Sequence, residues 1–85
     1  MLTAQEARKQ SEKNSDAKIQ SELKKISELI DDAVEKGNRY IMVEQLIESQ
    51  DDVERNKSIM RALMRKGYTV RYNEWHQFLT IRIDW

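Results

Sequence analysis

The hydrophobic pattern opens with a single helical stripe whose chemistry changes halfway along. Ala4, Ala7, Ser11, Ser15, Ile19, Leu23, Ile26, Ile30 and Ala33 recur at intervals of three or four residues, the repeat of one helix face. From Ile19 onward the stripe is an apolar core face. Before Ile19 it holds only small side chains, and no large apolar residue lies between Arg8 and Asp16. The pattern predicts one helix from Ala4 to about Lys36, roughly 50 Å long at ~1.5 Å per residue. Residues 1–16 then form a helical arm outside the core of the protomer. Thr3-Ala4-Gln5-Glu6 supplies a capping box, and Gly37-Asn38 supplies the stop. A face of small side chains lets a second backbone or a ligand come close. It points to an oligomer interface through Ala4, Ala7, Ser15 and Ile19, or to a binding site at the outer end.

Beyond Gly37 the period shortens. Arg39 to Val43 alternates Tyr40 and Met42 against Ile41 and Val43, as a strand does. Glu44 to Ser49 reads equally as strand or helix. Ser49-Gln50-Asp51-Asp52 is a helix start, with acids where the dipole favours them. The second helix turns Val53, Ile59, Met60, Leu63 and Met64 inward and ends at Gly67. Tyr68, Val70 and Tyr72 share one face of the next strand. Asn73-Glu74-Trp75-His76 is the connection, and Leu79, Ile81, Ile83 and Trp85 share a face of the last strand. Two alternating runs so close together make a hairpin. The expected fold is α+β, in the order α-β-α-β-β: a long N-terminal helix, a second helix, and a three-stranded antiparallel sheet with the helices on one face.

Composition narrows the class. The 85 residues make one domain, spanning 1–85. A chain this short buries a modest fraction of its surface, so association of protomers would help stabilise it. Its 15 basic and 15 acidic residues cancel, which argues against nucleic acid as a general partner. There is no cysteine, hence no disulfide framework and no thiolate metal site. No apolar run approaches signal-peptide or membrane-spanning length, so a cytoplasmic protein without a membrane partner is expected.

Enzymatic chemistry finds no purchase. His76 is the one histidine and falls in the hairpin connection, a place for a solvated turn residue. Ser11, Ser15 and Ser21 have no base nearby in sequence. Asp31-Asp32 point about 100° apart on a helix, and Asp51-Asp52 cap one, so neither pair converges as a metal site requires. No catalytic residue, metal or cofactor is expected. Trp85 continues the Leu79/Ile81/Ile83 face and belongs in the core or at a subunit contact.

Two regions have binding character. From Arg55 to Arg82 the chain interleaves Arg55, Lys57, Arg61, Arg65, Lys66, Arg71 and Arg82 with Tyr68, Tyr72, Trp75 and Phe78. Guanidinium groups beside aromatic rings suit phosphates and bases, although the helix cations also suit the dipole and the strand aromatics a core. The arm combines a helix N-terminus with Arg8, Lys9, Lys13, Ser11, Asn14 and Ser15, a favourable setting for an anion if the end is not frayed. Two other readings stand beside a small-ligand site. One is a winged-helix-like DNA binder, with Val53–Lys66 as recognition helix and the Tyr72–Phe78 hairpin as wing. The other is a protein-binding inhibitor or assembly module that docks through its first helix.

The chain resembles a family of small tailed-phage anti-defence proteins. The resemblance is carried by Thr3-Ala4-Gln5-Glu6-Ala7-Arg8 with Ser11 a turn later, the long helix ending at Gly37, Gly67-Tyr68-Thr69-Val70, and the closing Ile81-Arg82-Ile83-Asp84-Trp85. The acid-bearing segment Ser49–Asn56 departs from that pattern. The resemblance implies a sponge of the anti-CBASS type, which binds a cyclic oligonucleotide second messenger in the infected bacterium and holds it uncleaved. It carries over Thr3, Arg8 and Ser11 of the opening motif and Tyr68 after the glycine as ligand contacts. Tyr72 and Trp75 are further candidates for stacking on bases. A homo-oligomer, with a tetramer as the first expectation, would offer such contacts in symmetric copies to a two-fold ligand.

Overall fold

The computed structural model covers residues 1–85; the side chains of Ser11, Glu12, Asn14 and Ser15 lie outside the described residues. The elements are α1 (Ala4–Glu35), β1 (Tyr40–Leu46), α2 (Gln50–Arg65), β2 (Thr69–Trp75) and β3 (Phe78–Asp84). The fold is α+β in the order α-β-α-β-β. The three strands form one antiparallel sheet in the spatial order β1-β3-β2. The last strand therefore lies in the centre: the chain crosses from β1 through α2 to β2 at the far edge, and β3 turns back between them.

Local chemistry sets the helix ends. The Thr3 hydroxyl accepts from the Glu6 amide at 3.1 Å. The Ser49 hydroxyl does the same for the Asp52 amide at 3.3 Å. Both helices end in the same motif. The Asn38 amide donates to the Ala33 carbonyl at 2.9 Å, and the Tyr68 amide to the Leu63 carbonyl at 3.2 Å. Gly37 and Gly67 sit between, at φ 78° and 94°. This is the double reverse bond for which a left-handed glycine is the preferred residue.

One face of the sheet makes the core. Leu79, Ile81 and Ile83 of β3 are buried under Ile26 and Ile30 of α1 and Ile59, Met60 and Leu63 of α2. Ile41, Val43 and Val70 flank them from the edge strands, with Ile19, Leu23, Tyr68 and Trp85 packed around the margin. Trp85 thus belongs to the core margin, its ring edge-on to Tyr68 at 6.2 Å. The spacing predicts Met64 inward, but it is exposed, because at about 100° per residue it falls beyond Met60, past the edge of the face that Ile59, Met60 and Leu63 bury.

The stretch that read equally as strand or helix resolves in two parts. β1 continues through Leu46, and the helix starts at Gln50 behind its Ser49 cap. The hairpin is tighter than the sequence indicated. β2 runs through Trp75, which pairs with Phe78, so the turn is His76-Gln77 alone. His76 takes φ 55°, since a two-residue hairpin needs a positive φ at its first central residue. The Gln77 carbonyl accepts from the Ile47 amide at 2.7 Å, which ties the turn to the end of β1.

The described residues of α1 before Ile19 are exposed. The molecule is 52 Å in its longest dimension and 27 by 18 Å in the others, as a projecting helix dictates.

Candidate functional site

Both helices pack on the same face of the sheet, and the other face has no cover from this chain. Strand alternation and register fix what that outer face carries. Across β1, β3 and β2 the rows are Tyr40–Asp84–Thr69, Met42–Arg82–Arg71, Glu44–Thr80–Asn73 and Leu46–Phe78–Trp75. Tyr40, Met42, Leu46, Phe78 and Trp75 are all substantially exposed, Trp75 to 72%. Large apolar side chains grouped on one surface of a small protein mark a contact site.

The charged row has an unusual feature. Arg71 and Arg82 are direct cross-strand partners. Like charges placed directly opposite on a sheet destabilise it. Arg82 has help, because its Nε donates to the Asp84 carboxylate at 3.0 and 3.2 Å. Its guanidinium also lies 4.2 Å from the centre of the Tyr40 ring, within cation–π range. Arg71 forms no ion pair among the described residues. The face thus offers one engaged and one free guanidinium side by side, with an aromatic row about 13 Å along the strands at ~3.4 Å per residue. Thr80 and Asn73, neutral hydrogen-bonding groups, lie between, with the Glu44 carboxylate beside them on β1. A ligand that touches both rows must be longer than a single ring, and an anionic end would be favoured beside the two guanidinium groups.

The candidate residues fall in three places. Trp75 is on the outer face, beside His76, whose ring meets it edge-on at 4.8 Å. Tyr72 pairs with Ile81 and so lies on the helix side of the sheet, exposed at the rim of the recess it lines with α2. Tyr68 is half-buried against Trp85, a packing position more than a ligand contact. Thr3 and Arg8 lie on the arm, exposed, with Thr3 engaged in the helix cap. Arg8 is eleven residues ahead of Ile19, roughly 16 Å along the axis at ~1.5 Å per residue. One protomer therefore does not gather Thr3, Arg8, Tyr68, Tyr72 and Trp75 into one site. Ser11 and Ser15 lie outside the described side chains. Among the interface candidates, Ala4 and Ala7 are exposed, whereas Ile19 is half-buried against the protomer's own core.

The start of α2 is fully committed to capping. The Glu48 amide donates to Asp52 at 2.9 Å and is the main reason its carboxyl sits below the usual aspartate range. Burial works the other way, and Arg55 and the Ser49 amide add to the lowering. Arg55 is ion-paired to Asp52, and Lys57 to Glu54 at 3.7 Å. The first turns of α2 thus present internally satisfied charge, a poor reading head for DNA, whose base edges are contacted from a helix start.

Among the described residues no group of three or more His, Cys, Asp or Glu side chains converges as a metal site would. No helix is long and apolar enough to cross a membrane. No family model, curated protein or solved structure matches the chain.

Proposed function

We propose that this protein is a non-enzymatic binding protein that holds a phosphate-bearing, base-bearing ligand on the open face of its sheet. The ligand class is a cyclic oligonucleotide second messenger, held without cleavage, as the resemblance to phage anti-defence sponges implies. The observation that carries the reading is the Arg71–Arg82 pair, two cations set opposite each other on an uncovered surface. A phosphate between them would relieve the repulsion by charge-assisted bonds. Bases would then lie toward Trp75 and Phe78, where stacking contributes ~1–3 kcal/mol per base. Two-fold association of copies through the small-residue face of α1 would present the arginine pair twice to a symmetric ligand. It would also bring in Arg8, Thr3 and Ser11 from the partner's arm.

Native mass spectrometry with a panel of cyclic di- and trinucleotides tests this. The expected result is an oligomer that gains ligand mass in fixed stoichiometry, with the ligand recovered intact. Arg71→Ala combined with Trp75→Ala should weaken that binding at least tenfold while leaving the fold in place. Binding lost in Arg8→Ala but retained in the sheet variant would move the site to the arm. An oligomer that ignores every nucleotide favours a second reading, in which the exposed Tyr40, Met42, Leu46, Phe78 and Trp75 receive a protein partner.

A further inference from the structure

β1 and β2 are the two edges of the sheet, and they are guarded very differently. The Ile47 amide donates to the Gln77 carbonyl at 2.7 Å, and the Trp85 amide to the Arg39 carbonyl at 3.0 Å. Odd-numbered residues of β1 therefore turn their main-chain groups toward β3, and Tyr40, Met42, Glu44 and Leu46 turn theirs to the open edge. By the same alternation Val70, Tyr72 and Glu74 present theirs at the open edge of β2. An open edge is a template for another strand, and surface charges, a bulge or an inward-pointing charge normally blunt it. β2 has such guards: Arg71, and Glu74, which pairs with Leu79 and so puts a carboxylate on the helix side. β1 makes seven unbroken pairs with β3 and has no bulge. It has no Lys or Pro, its one charge is Glu44, and apolar residues occupy both its faces. Beside that edge α1 leaves an open cleft of about 380 Å³, lined by Leu29, Ala33, Ile41 and Met42 among others. Leu29 and Met42 are 47% and 58% exposed.

We propose that the open edge of β1 is an interface for a second copy of this chain, which pairs antiparallel with its own β1 about a two-fold axis at Met42. The occupant follows from the strand's complementarity to itself. With Met42 opposite its own copy, Ile41 lies opposite Val43 twice on the helix side, apolar on apolar. On the outer side Tyr40 lies opposite Glu44 twice. The Glu44 carboxylate has no ion pair among the described residues. It then comes beside a Tyr40 ring that holds the Arg82 guanidinium at 4.2 Å, and opposite charges across strands stabilise the pairing. Neighbouring registers are worse. An axis at Glu44 sets two carboxylates opposite each other. One at Val43 sets Met42 against Glu44 and Ile41 against Gln45, and one at Ile41 sets Arg39 against Val43 and shortens the ladder. With the axis at Met42 the open main-chain groups of Tyr40, Met42 and Glu44 all find partners, and the two Leu29 side chains close over the clefts. The Met42 side chains stay on the outer face. The resulting six-stranded sheet sets Arg71, Arg82, Met42 and their copies in one row, the two Arg82 residues about 14 Å apart at ~4.8 Å per strand. This contact is separate from the arm of α1 and needs no ligand.

Hydrogen exchange of the full-length protein without ligand, followed amide by amide by NMR, tests it. The Met42 and Glu44 amides should exchange at least tenfold more slowly than the Tyr72 and Glu74 amides at the other edge, and should speed up on dilution. Sedimentation gives the size of the assembly. Met42→Pro removes an amide that bonds nothing within the protomer, a place where an edge strand tolerates proline, and should halve the assembly. Met42→Glu and Met42→Lys, at an exposed position, carry the test if the proline variant does not fold. Each alone sets like charges opposite each other across the axis and should weaken association at least tenfold. Mixed in equal amounts they should pair again, a rescue that requires residue 42 to lie opposite itself. Arg71→Ala with Trp75→Ala should leave the β1 amides as protected as before, so this interface and the sheet-face site fail independently. The proposal is overturned if the Met42 and Glu44 amides exchange like those of Tyr72 and Glu74. It is also overturned if Met42→Pro keeps the natural assembly, or if the mixed variants stay apart.

Discussion

The two faces of β3 differ by one residue in register and by almost everything in role. Ile81 is 0% exposed, pressed between two helices, while its neighbours Thr80 and Arg82 point to a surface this chain leaves open. The contrast extends across the sheet, from Ile41 and Val43 inside to Tyr40 and Met42 outside. A sheet in a small domain needs one buried face to be stable, and α1 and α2 supply it. The second face is thereby released from the work of folding. Such a face normally carries polar residues. Here it carries Trp75, Phe78, Leu46, Met42 and a matched arginine pair, the composition on which the proposed binding role rests.

The largest expected effect breaks that contrast on the buried side. Ile81→Ala removes a fully buried side chain at the centre of the sheet and should cost about 2–5 kcal/mol. In a domain whose whole stability is about 5–15 kcal/mol, that approaches unfolding. Met42→Ala, on the opposite face of the neighbouring strand, should stay within about 0.5 kcal/mol. Urea denaturation of the two variants checks both. Equal losses would mean that the outer face is buried against another surface in solution.

The legibility of the chain follows the same divide. Inner-face residues announce themselves because core packing repeats with the element's period: Ile26 and Ile30 on α1, and Leu79, Ile81 and Ile83 on β3. Caps are also legible, since Thr3, Ser49, Gly37 and Gly67 act within a few residues of their own position. The end of β1 is not, because Gln45 faces inward and its partner is Glu22 on a distant element. Asn56 escapes for a related reason. Its burial depends on how α2 packs against α1 and the sheet, and polar residues on a helix read as solvent-facing. The candidate site shows the limit most clearly. Tyr68, Tyr72, Trp75 and Phe78 alternate with cations in the sequence, yet only the register sends Trp75 to the outer face and Tyr72 to the inner. The signal that could have found the arginine pair is the hairpin itself: moving the turn to His76-Gln77 places Arg71 opposite Arg82.

A smaller effect sharpens the comparison from the side of the cover. α2 shields the inner face only while its first turn holds, and Ser49 supplies the cap. Ser49→Ala should cost about 1 kcal/mol. Because Val53 and Asn56 lie one and two turns beyond the cap, hydrogen exchange should rise first at the start of α2. The outer strands should keep their protection, since their ladder bonds run to β3 and not to the helix. Uniform loss of protection would show that α2 and the sheet open as one unit.

The smallest effect comes from the same turn and has a defined sign. Asp52 accepts from the Glu48 amide and pairs with Arg55, so its folded carboxyl titrates below the ordinary aspartate value. A carboxyl lowered on folding contributes stability that is fully present above its unfolded value. That contribution disappears as pH falls through the folded one. Stability should therefore hold from neutrality down to about pH 4 and decline below it. Asp52→Asn should flatten that decline and reproduce, at neutral pH, part of the acid-induced loss. The group lies at the protein–water boundary, so salt should also weaken its pairing with Arg55. Above pH 5 the outer face should be indifferent to the substitution, because neither Arg71 nor Arg82 touches α2. A nucleotide-binding profile unchanged in Asp52→Asn at neutral pH would place the cap on the structural side of the sheet. A loss of binding there would tie the open face to the integrity of the covered one.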